Sequence, residues 1–255
     1  MELPANRFKA ALKAGKRQIG LWSAISSNLV AEAISRSGFD WIVLDMEHGP
    51  NEVPDLIAQM QAMQGGTATP VVRPPWNDFV AIKRVLDAGA QTLVVPYVQN
   101  RAEAEAAVRA IRYPPDGIRG VAVTSRATGF GRIKEYARRA IDELCLILQV
   151  ETAEAMERLE EIAGVDGVDG VFIGPSDLAA SLGELGNPNA QKVQDAIRSA
   201  AERLRAIGKP AGILSGNDDD IQRYAGWGYQ FIAVGADMGI LARGADALAA
   251  KYRSL

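Results

Sequence analysis

The sequence predicts an α/β fold, a closed (β/α)8 barrel of the TIM type, and three observations carry that prediction. Eight short apolar runs alternate with longer amphipathic stretches, and no hairpin signal falls between them, so the strands are parallel with helical crossovers. Helical patterns stop repeatedly at a glycine just before the next apolar run, at Gly38, Gly89, Gly164, Gly208 and Gly228. The chain has 255 residues, close to the length of about 250 typical of such barrels. An open doubly wound sheet is the fallback arrangement.

The elements follow in order. A basic N-terminal helix is expected over residues 7–16. The strands are expected at 19–24, 41–45, 70–73, 92–96, 144–150, 170–173, 210–214 and 231–234. Helical periodicity marks 27–36, 79–88, 102–111, 153–162 and 193–207, among others. One region breaks the rhythm: residues 112–131, rich in proline and glycine, are too long for a plain connector. Loops of that size are usually functional or mobile, and this one is expected to fold over the strand ends as a lid. No linker or low-complexity tract interrupts residues 1–255, so the chain reads as one domain.

Composition narrows the function. Hydrophobic residues make up 48% and charged residues 23%, as in ordinary globular proteins. A net charge of -3 offers no basic face for a nucleic-acid backbone. No apolar run approaches the ~20 residues needed to cross a membrane, and the polar start is not that of a signal peptide. The one cysteine, Cys145, lies in an apolar run and reads as core packing. A lone thiol without an export signal suggests a reducing cytoplasm.

Chemistry gathers at the ends of the strands. The segment Trp41-Ile42-Val43-Leu44-Asp45 runs into Met46-Glu47-His48-Gly49-Pro50, which contains the only histidine. Asp45 and Glu47 alternate onto one face of the strand, and a neighbouring carboxylate can orient an imidazole for proton transfer. Arg73 ends the third strand and is braced by Pro74-Pro75; a rigid guanidinium there suits an enolate oxygen or a carboxylate, and equally a structural salt bridge. Strands five and six end in Gln149-Val150-Glu151 and Gly174-Pro175-Ser176-Asp177. Two carboxylates without further His or Cys ligands suit a hard divalent cation such as Mg or Mn, although a carboxylate at a strand end also serves as a helix cap. The Gly174-Pro175-Ser176 turn can present the Ser176 and Asp177 backbone N–H groups to an anion, and a tight turn explains the glycine as well. Other chemistries lack their parts: there is no nucleotide-type glycine fingerprint, no nucleophile elbow, and no lysine at the catalytic rim for a Schiff base.

These residues, together with Arg112-Tyr113-Pro114-Pro115 and Pro74-Pro75-Trp76-Asn77-Asp78, resemble the metal-dependent (class II) pyruvate aldolases. That family includes 4-hydroxy-2-oxoheptanedioate aldolase and 2-dehydro-3-deoxyglucarate aldolase, and the similarity runs from about Asn6 to Arg253. The resemblance implies a TIM barrel, a bound divalent cation (Mg, Mn or Co), and a homo-hexamer in which the last helix, over residues 242–252, packs on a neighbouring subunit. It implies a pyruvate enolate that adds to an aldehyde or, in reverse, the cleavage of a 4-hydroxy-2-oxo acid. By position, Glu151 and Asp177 match metal ligands, and His48 paired with Asp45 matches the base that deprotonates pyruvate's methyl group. Arg73 matches the group on the keto or enolate oxygen. Gln149, Gly174, Pro175, Ser176 and Asp177 match positions around bound pyruvate, and Glu47 matches a holder of outer water. The aldehyde is expected to meet residues 22–24, 124–129 and 214–217, with Arg126 on a distal carboxylate. The alternatives are a metal-dependent thioester lyase and a non-catalytic barrel that binds 2-oxo acids.

Overall fold

The computed structural model describes residues 1–253. Eight strands close into a parallel barrel in sequence order. These are β1 Gln18–Ser23, β2 Trp41–Asp45, β3 Thr69–Arg73, β4 Thr92–Val95, β5 Cys145–Val150, β6 Gly170–Ile173, β7 Ala211–Leu214 and β8 Phe231–Ala236. The helices on the N-terminal side of the chain are α1 Arg7–Lys13, α2 Asn28–Ser35, α3 Val53–Ala62, α4 Phe79–Asp87, α5 Arg101–Ile111 and α6 Tyr136–Glu143. They continue as α7 Ala153–Glu157, α8 Leu159–Ala163, α9 Pro175–Ser181, α10 Gln191–Ala206, α11 Asp218–Trp227 and α12 Asp237–Tyr252. The closed barrel displaces the open-sheet fallback. Among the described residues no helix is long and apolar enough to cross a membrane.

Strand alternation builds two cores. Outward residues such as Ile42, Leu44, Val72 and Leu146 pack against the surrounding helices. Inward residues, including Trp41, Val43, Val71, Ile147, Phe172 and Phe231, fill the barrel. Large and small residues pair across strands: Trp41 lies opposite Gly20, and Phe231 opposite Gly212. A Cβ on Gly20 would meet the Trp41 ring at 2.2 Å, and one on Gly212 would meet the Phe231 ring at 2.0 Å. Glycine at these positions is therefore a volume requirement of the interior. The N-terminal end is plugged by α1, whose Phe8 packs edge-on against Trp41 and Phe231. Helix starts are capped locally by Asn6, Ser27, Asp78, Asn100, Thr152 and Asn217, whose side chains accept backbone N–H groups of the first turn. Burial pushes the Cys145 thiol up, consistent with a packing role.

Three expectations change. The helix expected over 7–16 ends at Lys13, where Ala14 and a left-handed Gly15 turn the chain. The stretch 153–162 is two short helices that break at Arg158; no glycine or proline marks that break. The loop 112–131 does not cover the C-terminal strand ends. Its Ala127 N–H donates to Asp87 O and Arg126 Nη1 to Ala88 O, both where α4 ends and the chain enters β4. Those bonds fold the loop back along the barrel's N-terminal end, so Arg126 and residues 124–129 lie away from the C-terminal rim of their own barrel.

Candidate active site

The inward rows of three strands, β2, β3 and β5, end in polar groups at one rim. On β2 the row Trp41, Val43 continues to Asp45; on β3 Val71 continues to Arg73; on β5 Cys145 and Ile147 continue to Gln149 and then Glu151. The β2–β3 register sets Asp45 opposite Arg73. Arg73 Nε donates to Asp45 Oδ1 at 2.8 Å and Nη2 to Oδ2 at 2.6 Å, a bidentate pair with both side chains buried. Trp22 Nε1 donates to Asp45 Oδ2 at 3.1 Å, and its ring lies 4.8 Å from the guanidinium carbon. Burial works against the Asp45 charge, but the bonds and charge of Arg73, with help from Trp22, hold its carboxyl below the usual range.

Glu47 stands between Arg73 and His48. Its Oε2 lies 2.7 Å from Arg73 Nη1 and 4.0 Å from His48 Nε2. Burial nevertheless raises the Glu47 carboxyl, and the charges of Asp45 and Asp177 add to that rise. The His48 side chain is 69% exposed. The expected pairing of Asp45 with the His48 ring is not formed: Asp45 Oδ1 receives the backbone N–H groups of Glu47 and, at 3.5 Å, His48. With both Asp45 oxygens already committed to Arg73 and Trp22, Glu47 is the carboxylate nearest the imidazole.

Glu151 is nearly sealed, at 2% exposure. Gln149 Nε2 donates to its Oε2 at 2.5 Å and the Tyr97 backbone N–H to its Oε1 at 3.0 Å. Tyr97 adopts a left-handed backbone, φ 56°, which turns that N–H toward the carboxylate. Gly174 closes the other side: a Cβ there would lie 2.4 Å from Glu151 Oε2. Gly174 also caps α9, with Pro175 in its first turn and the exposed Ser176 and Asp177 following. Burial drives the Glu151 carboxyl up to about 7, and the negative charges of Asp177 and Glu47 push the same way, against the hydrogen bonds of Gln149 and Tyr97. A pair of carboxylates so arranged is short of positive charge. The buried Gln149 Oε1 faces no donor among the described residues. The donor set therefore fits a divalent cation held by Glu151 and Asp177, with waters or substrate completing the shell; no third His, Cys, Asp or Glu joins them among the described residues.

Trp22, His48, Arg73, Gln149, Phe172 and Leu214, with the turn from Gly174 to Asp177, line a cavity of about 350 Å³. The structure thus brings together His48, Asp45, Arg73, Glu47, Gln149, Glu151 and residues 174–177, and leaves Arg126 out. Sequence reasoning missed three supports. Phe172 forms a wall that alternation along β6 already placed inward. The Tyr97 N–H is a backbone group and left no signal. Asp237 accepts from Ser23 Oγ at 2.8 Å and from the Ala24 and Ile25 N–H groups, which fastens the loop after Trp22 to the start of α12. Among the described residues no lysine lines this cavity, and Lys209 Nζ donates to Val168 O at the opposite end of the barrel.

The chain resembles known proteins over nearly its whole length. The chain is 55% identical over 252 residues to a pyruvate aldolase of Rhizobium etli, covering 99% of each chain. It is 52% identical over 248 residues to a 4-hydroxy-2-oxo-heptane-1,7-dioate aldolase of Klebsiella pneumoniae, covering 97% of this chain and 94% of that one. A crystal structure of an HpcH/HpaI aldolase/citrate lyase family protein from Burkholderia cenocepacia superposes with a TM-score of 0.94 at 37% identity, over 98% of this chain and 100% of that one. The model of the HpcH/HpaI aldolase/citrate lyase family matches residues 18–244, and the chain belongs to that family.

Proposed function

We propose that this protein is a divalent-cation-dependent aldolase that reversibly cleaves 4-hydroxy-2-oxo acids to pyruvate and an aldehyde. The observation that carries the proposal is the rim itself: Asp177, the pinned Arg73 guanidinium and the only histidine line one cavity, and the buried Glu151 carboxylate behind it is burdened by the charge of Asp177. The names of the relatives, a pyruvate aldolase and a 4-hydroxy-2-oxo-heptane-1,7-dioate aldolase, supply the substrate class.

Glu151 and Asp177 would hold the cation, which magnesium, manganese or cobalt can provide. When bound it supplies Lewis-acid polarisation of the 2-oxo acid, lowering the cost of charge on the keto oxygen. Arg73 does the complementary work. A guanidinium has five N–H donors; Asp45 takes two and Glu47 faces Nη1, so donors on the outer edge remain for the keto or enolate oxygen. Because Asp45 and Trp22 fix the guanidinium, it meets the developing charge without reorganising. His48, at the open edge of the cavity, takes the methyl proton directly or through one water, and Glu47 beside its ring favours the charged imidazolium that results. Gln149 and the N–H groups of Ser176 and Asp177 orient the pyruvate carboxylate. Trp22, Phe172 and Leu214 give the acceptor an apolar wall.

We also infer a homo-hexamer held in part by α12. Met238, Ile240, Leu241, Leu248 and Tyr252 on that helix are each more than half exposed, more apolar surface than an isolated chain ordinarily leaves open.

The direct test is cleavage of 4-hydroxy-2-oxoheptanedioate, followed by pyruvate release, in chelator and after adding back Mg or Mn. Cation-restored cleavage supports the proposal. A folded, cation-loaded protein that binds the acid without cleaving it would overturn it.

A further inference from the structure

A second cavity, of about 400 Å³, lies at the N-terminal end of the barrel. Met60, Met63, Ile133 and Leu144 give it an apolar wall, and among the described residues Arg7 and Arg126 are its only charged side chains, with no Asp or Glu lining it. Arg126 is half-buried, and burial alone lowers the affinity of its guanidinium for its proton, with no carboxylate among the described residues offsetting that. The single side-chain hydrogen bond of Arg126 among the described residues is from Nη1 to Ala88 O at 2.8 Å. That bond also caps the end of α4 and seats the guanidinium on Gly89, where a Cβ would lie 2.5 Å from Nη1. Glycine with φ 101° is needed there, so the arginine head is fixed in place while Nε and Nη2 keep no hydrogen-bond partner among the described residues.

We propose that this cavity is a second ligand site, one that takes a small organic anion, a carboxylate on a compact apolar body, with Arg126 as its anchor. A partly desolvated cation without a counter-charge is unfavourable by itself, and an anionic ligand removes that imbalance. The apolar wall accounts for the rest of the ligand, since small-molecule sites are largely apolar with a few fixed polar groups. Arg7, exposed at the edge of the cavity, adds positive charge at its mouth. The site is separate from the catalytic rim: Leu144 enters β5, whereas Glu151 follows its exit, roughly 20 Å along the strand.

The test is a fluorine NMR titration of the full chain with 4-(trifluoromethyl)benzoate, in Mg and saturating pyruvate, against the neutral 4-(trifluoromethyl)benzamide. The benzoate is expected to bind at least about tenfold more tightly than the amide, and R126M to weaken it by about tenfold or more, since a charge-assisted pair is lost. R7Q, at an exposed position, is expected to weaken it less. Hydrogen exchange on the unaltered protein should show ligand protection in residues 60–68 and 126–133. Binding that pyruvate displaces, binding indifferent to both substitutions, protection confined to the catalytic rim, or no binding at millimolar benzoate would each overturn the proposal.

Discussion

At the scale of residues, the buried pair that holds the rim together differs from the exposed histidine in what its loss costs the fold. Asp45 and Arg73 are buried and bidentate, so removing one strands the other. Asp45→Ala is expected to cost about 3–5 kcal/mol of folding stability, read from urea unfolding. His48 is exposed and bears on no core, so His48→Ala should change stability by less than about 0.5 kcal/mol. The same substitution should slow exchange of pyruvate's methyl protons by a factor of about 10²–10⁴. Unslowed exchange in His48→Ala would assign the proton to another group, with Glu47 the nearest candidate. Glu151 supplies a pH signature. Its carboxyl is raised from 4.5 to about 7, so the folded chain keeps a proton that the unfolded chain releases. The stability this contributes is full below pH 4.5 and is lost as pH rises through about 7. Cation-free protein should therefore lose thermal stability between about pH 5 and about pH 8 more steeply than Glu151→Gln does, and a divalent cation should flatten the difference. Identical slopes with and without Glu151 would contradict the raised carboxyl.

At the scale of elements, the site depends on how strand ends meet helix starts. Gly174 joins β6 to α9 against Glu151, and a methyl group there has no room. Gly174→Ala should displace the carboxylate and weaken manganese binding by about tenfold or more, measured by electron paramagnetic resonance. Undiminished binding would mean that Glu151 is not a ligand. Helix α12 makes a second prediction. Leu241→Glu places a charge in its exposed apolar surface and should yield smaller species in sedimentation velocity; an unchanged assembly would remove α12 from the interface. The loop 112–131 marks where sequence reasoning failed. Its length and composition suggested a lid, but its direction is set by backbone bonds to the end of α4, from Ala127 N–H to Asp87 O and from Arg126 to Ala88 O. Nothing in the residue types announces those partners.

At the scale of the whole molecule, the barrel was legible because each of its strands is an apolar run with a period of its own. Asp45, Arg73 and Glu151 were legible for the same reason: each is the first ionisable group beyond such a run. What lay beyond the run was harder. The partner of the His48 ring depends on the turn at Gly49, where a Cβ would meet Asp45 O at 2.5 Å, and on the prior claim of Arg73 on Asp45. The Tyr97 N–H and the break at Arg158 are backbone events that side-chain patterns do not encode. The closed barrel gathers these groups at one end and leaves a separate, positively charged cavity at the other. The central claim is that this rim makes a pyruvate enolate with the help of a divalent cation. The measurement that tests it most directly is exchange of pyruvate's methyl protons for deuterium in D2O, followed by NMR, first in chelator and then with Mg or Mn. Exchange that appears only with cation is the predicted result. A folded, cation-loaded protein that exchanges no protons, or one that exchanges them equally in chelator, would contradict it.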